Sequence, residues 1–334
     1  MVKRILIVGK GSIGKRHFEH LKNLLPESDI RFLRHSQVSE NCNDSDKDFY
    51  SIDEALDFAP ELAVISNPAS KHIETAMIFA RTGSHVFVEK PISNQIDKVQ
   101  QLIDLCETNS LVLAVGYNLR FLISLIEFRN AIQAETIGKL LSVRVDTGSY
   151  LPDWRFGTNF RESVSANEHL GGGALLELSH EIDYVQWIFG NIDWVRATLI
   201  NSHALKLDVE DTVHLVFGFK ENSGGLLVTG QMNLDFVRRD SKRTCLAIGT
   251  LGSLEWNGIS GEVRHFDARQ QSWNLISATG SLLSQSYDSQ WKDILSCIET
   301  GCKASVTGED GLSVMRIVNA ARNSSNSGLQ EQID

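Results

Sequence analysis

The feature that most constrains this chain lies at its start. Gly9-Lys10-Gly11-Ser12-Ile13-Gly14 fits the pattern Gly-x-Gly-x-x-Gly, with an apolar run at 5–8 before it and a helical pattern at 13–25 after it. Each glycine has its own physical reason. Gly9 permits the tight turn from strand to helix, Gly11 lets a pyrophosphate approach the backbone, and Gly14 lets helix and strand pack closely. Phosphates placed there meet the free N–H groups and the positive dipole end of the helix. A strand, such a turn and a helix open a parallel sheet, so the chain reads as α/β from its first residues.

That pattern continues for a third of the sequence. Apolar runs at 30–33, 62–66, 86–89 and 111–115 alternate with helical patterns at 52–58, 71–81 and 94–107. Ser51 and Glu54 have the spacing of a capping box, which starts the helix at 52. Strands that are apolar throughout and separated by helices belong to a parallel sheet covered on both faces. After Tyr117 the texture changes: a helix at 121–135, a strand at 139–150, an aromatic-rich irregular stretch at 151–166 and a helix at 173–189. Strand-like runs follow at 194–201, 213–219, 225–234 and 244–248, with a hairpin loop at 220–224, and helices at 289–299 and 309–322. The polar residues 323–334 read as a frayed end. A length of 334 residues suits two domains. The expected division is a dinucleotide-binding Rossmann domain at 1–118 and a second domain, built on a sheet and presenting the substrate, at 119–334.

Composition removes several classes of function. A formal charge of −10, with basic residues only in short clusters such as Lys15-Arg16 and Arg238-Arg239, argues against a nucleic-acid partner. No apolar run approaches the roughly 18 residues of a membrane helix, and the N-terminus enters a strand without a signal-peptide pattern. Five cysteines form no Cys-x-x-Cys pair and have no histidine at zinc spacing, so no metal site is expected. They read as reduced thiols, and a cytoplasmic location follows.

The end of the second strand bears on which nicotinamide cofactor binds. NAD enzymes place a carboxylate there for the ribose hydroxyls. Here the position twenty residues after Gly14 is Arg34, followed by the donors His35 and Ser36. A guanidinium fork suits a phosphate dianion, which favours NADP over NAD. Stacking of Arg34 on the adenine is the other reading.

Further motifs stand in order along the chain. They are Asn67-Pro68 with His72, Phe87-Val88-Glu89-Lys90-Pro91, Gly116-Tyr117-Asn118-Leu119-Arg120-Phe121, Gly171-Gly172-Gly173 before a helix with His180 and Asp183, and Val209-Glu210-Asp211-Thr212. Together they resemble the Gfo/Idh/MocA family of glucose–fructose oxidoreductase and inositol dehydrogenase relatives. The resemblance covers nearly the whole chain, including segment 150–155, which looks like a branch linked to bacterial surface-sugar biosynthesis. It implies a Rossmann domain followed by an α/β domain with a large, mostly antiparallel sheet. It implies transfer of a hydride between NADP or NAD and a hydroxyl or keto carbon of a sugar, nucleotide-sugar or polyol, in a homodimer or homotetramer. By the same resemblance the cofactor site takes in Gly9, Gly11, Ser12, Ile13, Gly14, Arg34, His35, Ser36, Asn67, Pro68, His72, Glu89, Lys90 and Asn118. Lys90 then lies near the reacting hydroxyl, and His180 is the proton-transfer residue. One departure stands out: the family usually has an aspartate four residues before this histidine, whereas Glu177 stands three before His180.

Helical geometry over 173–189 bears on the same residues. At about 100° per residue, Leu175, Leu178, Ile182, Val185 and Phe189 form one apolar stripe. Glu177, His180 and Tyr184 fall nearly opposite it, with Asp183 further round as a structural partner. Geometry alone leaves two readings of that second face, a plain solvent face or a site that handles protons. Imidazole suits the removal of a hydroxyl proton near neutral pH, and a lysine ammonium suits the charge developing on the same oxygen. The expected catalytic set is thus Lys90, His180 and Glu177. Arg120, Tyr150, Trp154, Arg155 and Tyr184 are the expected substrate contacts, with Asn233, Arg238 and Arg243 as further candidates. A non-enzymatic dinucleotide sensor and an NAD-assisted glycoside-cleaving enzyme are the alternatives.

Overall fold

The computed structural model describes residues 2–34, 48–154, 157, 159–220 and 227–333. The chain divides into two compact units, 1–117 with 287–315 and 118–286 with 316–334.

The first unit follows the expected alternation: β1 (Arg4–Val8), α1 (Ser12–Leu24), β2 (Asp29–Leu33), α2 (Ile52–Asp57), β3 (Leu62–Ile65), α3 (His72–Arg81), β4 (His85–Val88), α4 (Val99–Thr108) and β5 (Leu113–Val115). The strands form one parallel sheet in the order β2-β1-β3-β4-β5. Every residue of β3 is buried, as are all but the first of β1 and of β4, which is why these strands read as continuous apolar runs. The capping box forms: Ser51 Oγ accepts from the Glu54 N–H and the Glu54 carboxylate accepts from the Ser51 N–H. The long connections keep all the β-strand carboxyl ends on one edge, and the motif residues cluster there.

The second unit begins with α5 (Ile123–Gln133) and β6 (Leu140–Gly148) and continues through α6 (Ala174–Glu177) and α7 (His180–Phe189). Seven strands follow: β7 (Ile192–Ile200), β8 (Thr212–Phe219), β9 (Thr229–Asp235), β10 (Lys242–Gly249), β11 (Gly252–Asn257), β12 (Glu262–Asp267) and β13 (Ser272–Ala278). The chain closes with α8 (Leu283–Thr300), α9 (Gly308–Ser327) and β14 (Glu331–Gln332). Nine strands make one sheet in the order β13-β12-β11-β10-β6-β9-β8-β7-β14, antiparallel except for the β6–β9 pair. Along β9 and the first part of β8 burial alternates, as expected where one sheet face packs on helices. The Trp256 indole of β11 is wholly buried and donates to Ser124 Oγ of α5 at 3.0 Å.

Three sequence expectations need correction. Strands β11–β13 were not anticipated: β11 and β12 set few apolar residues among polar or charged ones, and β13 is almost wholly exposed at the sheet edge. Residues 323–333, expected as part of a frayed end, are ordered into the fold: Ser324 and Ser325 at the end of α9 accept the β7 N–H groups of Ala197 and Leu199, and β14 pairs with β7. These hydroxyls satisfy an edge strand that would otherwise be open. Finally, residues 287–315 pack in the first unit, whereas division by pattern leaves them in the second. Trp291, Ile294, Cys297 and Ala304 share a core with Ile5, Ile7, Phe32 and Phe87.

Candidate active site

The glycine turn is built as its chemistry demands. Gly9 has φ +97°, and a Cβ there would lie 2.9 Å from the Ser66 carbonyl oxygen. A Cβ on Gly14 would lie 2.1 Å from the Gly9 carbonyl oxygen, so the helix can sit this close only with hydrogen at that position. Gly11 differs, for a Cβ there would meet nothing within 4 Å. The protein itself does not require a glycine at 11; a ligand pressed against the backbone would. Gly11 is also the N-cap of α1, it offers no side-chain cap, and the first helical turn holds no acid. Ser12 is exposed and Ile13 half-buried, so the N–H groups of this turn are left for an anion. The residues present fit a dinucleotide pyrophosphate.

At the end of β2, two cations share one carboxylate. Asp48 Oδ2 is 2.8 Å from Lys10 Nζ and 3.3 Å from an Arg34 guanidinium nitrogen. Lys10 and Asp48 were not anticipated. Lys10 occupies a free position of the glycine motif, where spacing carries no signal, and Asp48 reaches the site from another part of the chain. His35 and Ser36 lie outside the described residues, as does Arg155.

At the end of β4, Glu89 is buried and its two oxygens are both occupied. Oε1 is 2.7 Å from His17 Nε2, and Oε2 accepts the Lys90 backbone N–H at 2.9 Å. Burial raises the Glu89 pKa, but His17, through its hydrogen bond and its electrostatic effect, then the charge of Lys90 and the Lys90 N–H outweigh it and hold the carboxyl below its ordinary value. Gly116 leaves the room, since a Cβ there would lie 2.9 Å from Glu89 Oε2. His72 is buried and spans two loops, with Nδ1 2.9 Å from the Pro91 carbonyl oxygen and Nε2 2.8 Å from that of Asn67. Burial pushes the His72 pKa down against those two acceptors. Asn67 donates from its amide to Thr75 Oγ1 at 3.0 Å, and Pro68 leads directly into α3 through a single 3₁₀ turn. Lys90 is half-buried beside them.

In the second unit the helix at 173–189 is interrupted. It ends at Glu177, turns through Leu178 and Ser179, and restarts at His180. The Ser179 and Glu181 N–H groups bond three residues back rather than four. At three residues per turn, positions i and i+3 eclipse. Glu177 and His180 are thereby brought to one side, which gives the unusual three-residue spacing a structural basis. Both are half-buried, and Ser165 Oγ donates to Glu177 Oε1 at 2.9 Å. The start of α6 is pinned by Glu210, whose carboxylate accepts the Leu175 N–H at 3.0 Å. Burial raises the Glu210 pKa, that N–H working the other way.

Several expected substrate contacts have other work here. Arg120 is buried and holds Asp183 through three N–H···O bonds of 2.6–3.1 Å, so its fork is closed. Tyr184 is wholly buried, edge-on to Trp256, because the break in the helix and its burial on several sides defeat the simple wheel. Burial, then the neighbouring Cys245 and Glu181, hold its phenol well above the ordinary value. Asn118, expected at the cofactor rather than the substrate, is buried and donates to Ser286 Oγ at 2.8 Å. The Tyr150 ring is covered by the Arg239 guanidinium at 3.5 Å, and the Trp154 indole N–H donates to Ser149 Oγ at 2.7 Å. Arg243 pairs with the buried Glu181 at 2.8 Å, Arg238 stands among Asp146, Asp235 and Asp240, and Asn233 meets His214.

Comparison with known proteins identifies the family. Residues 3–117 match the family model for the NAD-binding Rossmann fold of the Gfo/Idh/MocA oxidoreductases, and residues 129–331 match that for the C-terminal alpha/beta domain. The chain belongs to the Gfo/Idh/MocA oxidoreductase family. It is thus an NAD(P)-dependent oxidoreductase, and the sensor and glycoside-cleaving alternatives are not favoured. Among similar Gfo/Idh/MocA proteins, the myo-inositol 2-dehydrogenase of Thermotoga maritima is 24% identical over 96% of both chains. The NADP(+)-dependent scyllo-inositol 2-dehydrogenase IolW of Bacillus subtilis is 24% identical over 96% of this chain and 93% of its own. In fold, a levoglucosan dehydrogenase complexed with NADH superposes with a TM-score of 0.84 at 19% identity, covering 99% of each chain. The WlbA dehydrogenase of Bordetella pertussis, in complex with NADH and UDP-GlcNAcA, also gives 0.84, at 18% identity over 100% of this chain and 98% of that one. Among the described residues, no helix is long and apolar enough to cross a membrane.

Proposed function

We propose that this oxidoreductase is a dehydrogenase of a sugar, nucleotide-sugar or polyol hydroxyl that prefers NADP. The observation that carries the reading is the gathering of the glycine turn, Lys10 with Arg34, and Glu89-Lys90 at the carboxyl ends of β1, β2 and β4. The substrate class is supported by the inositol and levoglucosan dehydrogenases it resembles, and by the nucleotide sugar bound to WlbA. When bound, the nicotinamide supplies the hydride chemistry. The chain supplies the rest. His180 takes the hydroxyl proton, Glu177 orients that imidazole, and the Lys90 ammonium carries the negative charge that develops on the oxygen.

Cofactor choice rests on charge. Lys10 and Arg34 together outnumber Asp48, so a 2′-phosphate meets a net positive site. Titration of the protein with NADPH and NADH, followed by nicotinamide fluorescence, tests this. Arg34→Asp is expected to weaken NADPH by at least tenfold, about 1.4 kcal/mol, and to leave NADH within a few-fold. Equal binding of both cofactors by the wild type refutes the preference. Homo-oligomerisation belongs to the same proposal and is supported by exposed apolar side chains on the large sheet, among them Val216, Trp273 and Leu275. Light scattering that finds only monomer at micromolar concentration refutes it. The free thiols of Cys106, Cys245, Cys297 and Cys302 support a reducing, cytoplasmic setting.

A further inference from the structure

Behind Lys90 the first unit contains a chain of buried hydrogen bonds. The Trp291 indole N–H donates to His17 Nδ1 at 3.2 Å, His17 Nε2 lies 2.7 Å from Glu89 Oε1, and Glu89 Oε2 accepts the Lys90 N–H at 2.9 Å. Trp291 and His17 are both wholly buried. The His17 ring is enclosed by Phe87, Trp291 and Tyr287, with ring centroids 5.0, 5.4 and 5.9 Å away. Water therefore cannot replace a missing partner.

An indole N–H can only donate, which fixes the direction of the whole chain. His17 Nδ1 accepts from the indole, so the ring N–H that faces Glu89 is the one on Nε2. The carboxylate keeps its negative charge and is held by two donors, neither of which neutralises it.

The geometry points to Trp291 and His17 as positioning residues for Lys90, acting through Glu89. By occupying Nδ1, Trp291 keeps His17 from becoming an imidazolium. The full charge of Glu89 is then left to act on the Lys90 ammonium, while its second oxygen fixes the Lys90 backbone. Among the described residues, the charged and titratable groups around this chain include Lys90 itself, His72 from α3, Tyr287 from α8, Arg16 and His20 from α1, which contact the Tyr287 ring, and Asp288, which pairs with His20. This assignment deepens the reading of Lys90 as the group at the reacting oxygen, and rests on it.

The consequence is directional. In Trp291→Phe the packing surface is retained and only the donor is lost. With the indole N–H gone from Nδ1, the ring is no longer confined to a single proton on Nε2. A second ring proton, 2.7 Å from Glu89 through Nε2–H, would offset the carboxylate charge and weaken its hold on the Lys90 ammonium. The experiment needs no substrate. The full-length protein is acylated with acetic anhydride across a pH series, and modification of Lys90 is followed by peptide mass spectrometry, with NADPH affinity and melting temperature as controls for folding. The midpoint for Lys90 is expected to fall by about half a unit or more in Trp291→Phe. It should fall further in Glu89→Gln, and Trp291→Phe should add nothing in the Glu89→Gln background. A wild-type midpoint in Trp291→Phe overturns the inference. So does an equal shift in the Glu89→Gln background, since the effect would then bypass the carboxylate. Lys90→Met retaining full turnover is a different failure, which removes the catalytic reading of Lys90 and leaves the hydrogen-bond chain standing.

Discussion

Replacing Arg120 by methionine separates two accounts of that residue. As a substrate contact its loss would raise KM and leave the fold intact. The structure instead gives it a buried partner: Arg120 is 8% exposed, Asp183 is fully buried, and three N–H···O bonds of 2.6–3.1 Å join them. Methionine fills similar volume but takes away the guanidinium that holds Asp183. Breaking a buried ion pair on one side costs about 3–5 kcal/mol, because the remaining charge keeps its desolvation penalty. For a unit of this size 1 kcal/mol shifts the melting temperature by about 2–4 °C, so a fall of about 6–20 °C is expected. Scanning fluorimetry and urea denaturation measure it, with NADPH titration as the control that the first unit is intact. The double variant Arg120→Met/Asp183→Leu should recover most of the loss, as removal of both charges leaves nothing uncompensated. A melting temperature within 2 °C of wild type, roughly 1 kcal/mol or less, refutes the argument, and a rise in KM alone would return Arg120 to the substrate.

Three further outcomes follow from other parts of the site. Gly11→Ala should leave stability unchanged and weaken NADPH by at least tenfold, about 1.4 kcal/mol; Gly14→Ala should lower both, because its methyl would overlap the Gly9 carbonyl. Calorimetric titration beside a melting curve distinguishes them, and a stable Gly14→Ala would contradict the packing argument. Glu89 is held below its ordinary value of 4.5, so its ionised form stabilises the fold fully above that pH and the contribution is lost as the pH falls through the lowered value. Melting curves of Glu89→Gln between about pH 6 and pH 3 should lack that acid limb; parallel curves for variant and wild type would exclude it. Ser165→Ala removes the hydroxyl that holds Glu177, and should cost about 1 kcal/mol at most in stability while lowering kcat with KM unchanged. No change in kcat would show that Glu177 does not depend on this contact.

Much of the first unit was legible because its signals are local. A buried parallel strand shows as an apolar run, and Gly9, Gly11 and Gly14 must sit at fixed offsets. Ser51 and Glu54 interact over three positions, so their cap could be read directly. The residues that support the site have no such local sign. His17 falls on the buried face of α1 with Gly14 and Leu21, where a histidine reads as core. Its position there was a usable clue that a buried partner existed, but not that the partner was Glu89 or Trp291. Arg120 and Asp183 lie far apart in sequence and reveal their pairing only in three dimensions. Tyr184 was misplaced because an ideal 100° step was carried across the turn at Leu178 and Ser179. A tightening of that kind leaves no trace in hydrophobic periodicity.

The return of α8 to the first unit also bears on how the protein is made. Trp291 stands 274 positions after the histidine it contacts. When residue 117 leaves the ribosome, the core around Ile5 and Phe87 still lacks Trp291, Ile294 and Cys297. At about 5–20 residues per second, that gap stays open for about 10–40 s. The nascent N-terminal half waits with an uncovered apolar surface and a Glu89 whose supporting chain is incomplete. A protein truncated at the apparent boundary should carry the same exposed surface permanently, and would be a client of chaperones rather than a soluble nucleotide-binding domain.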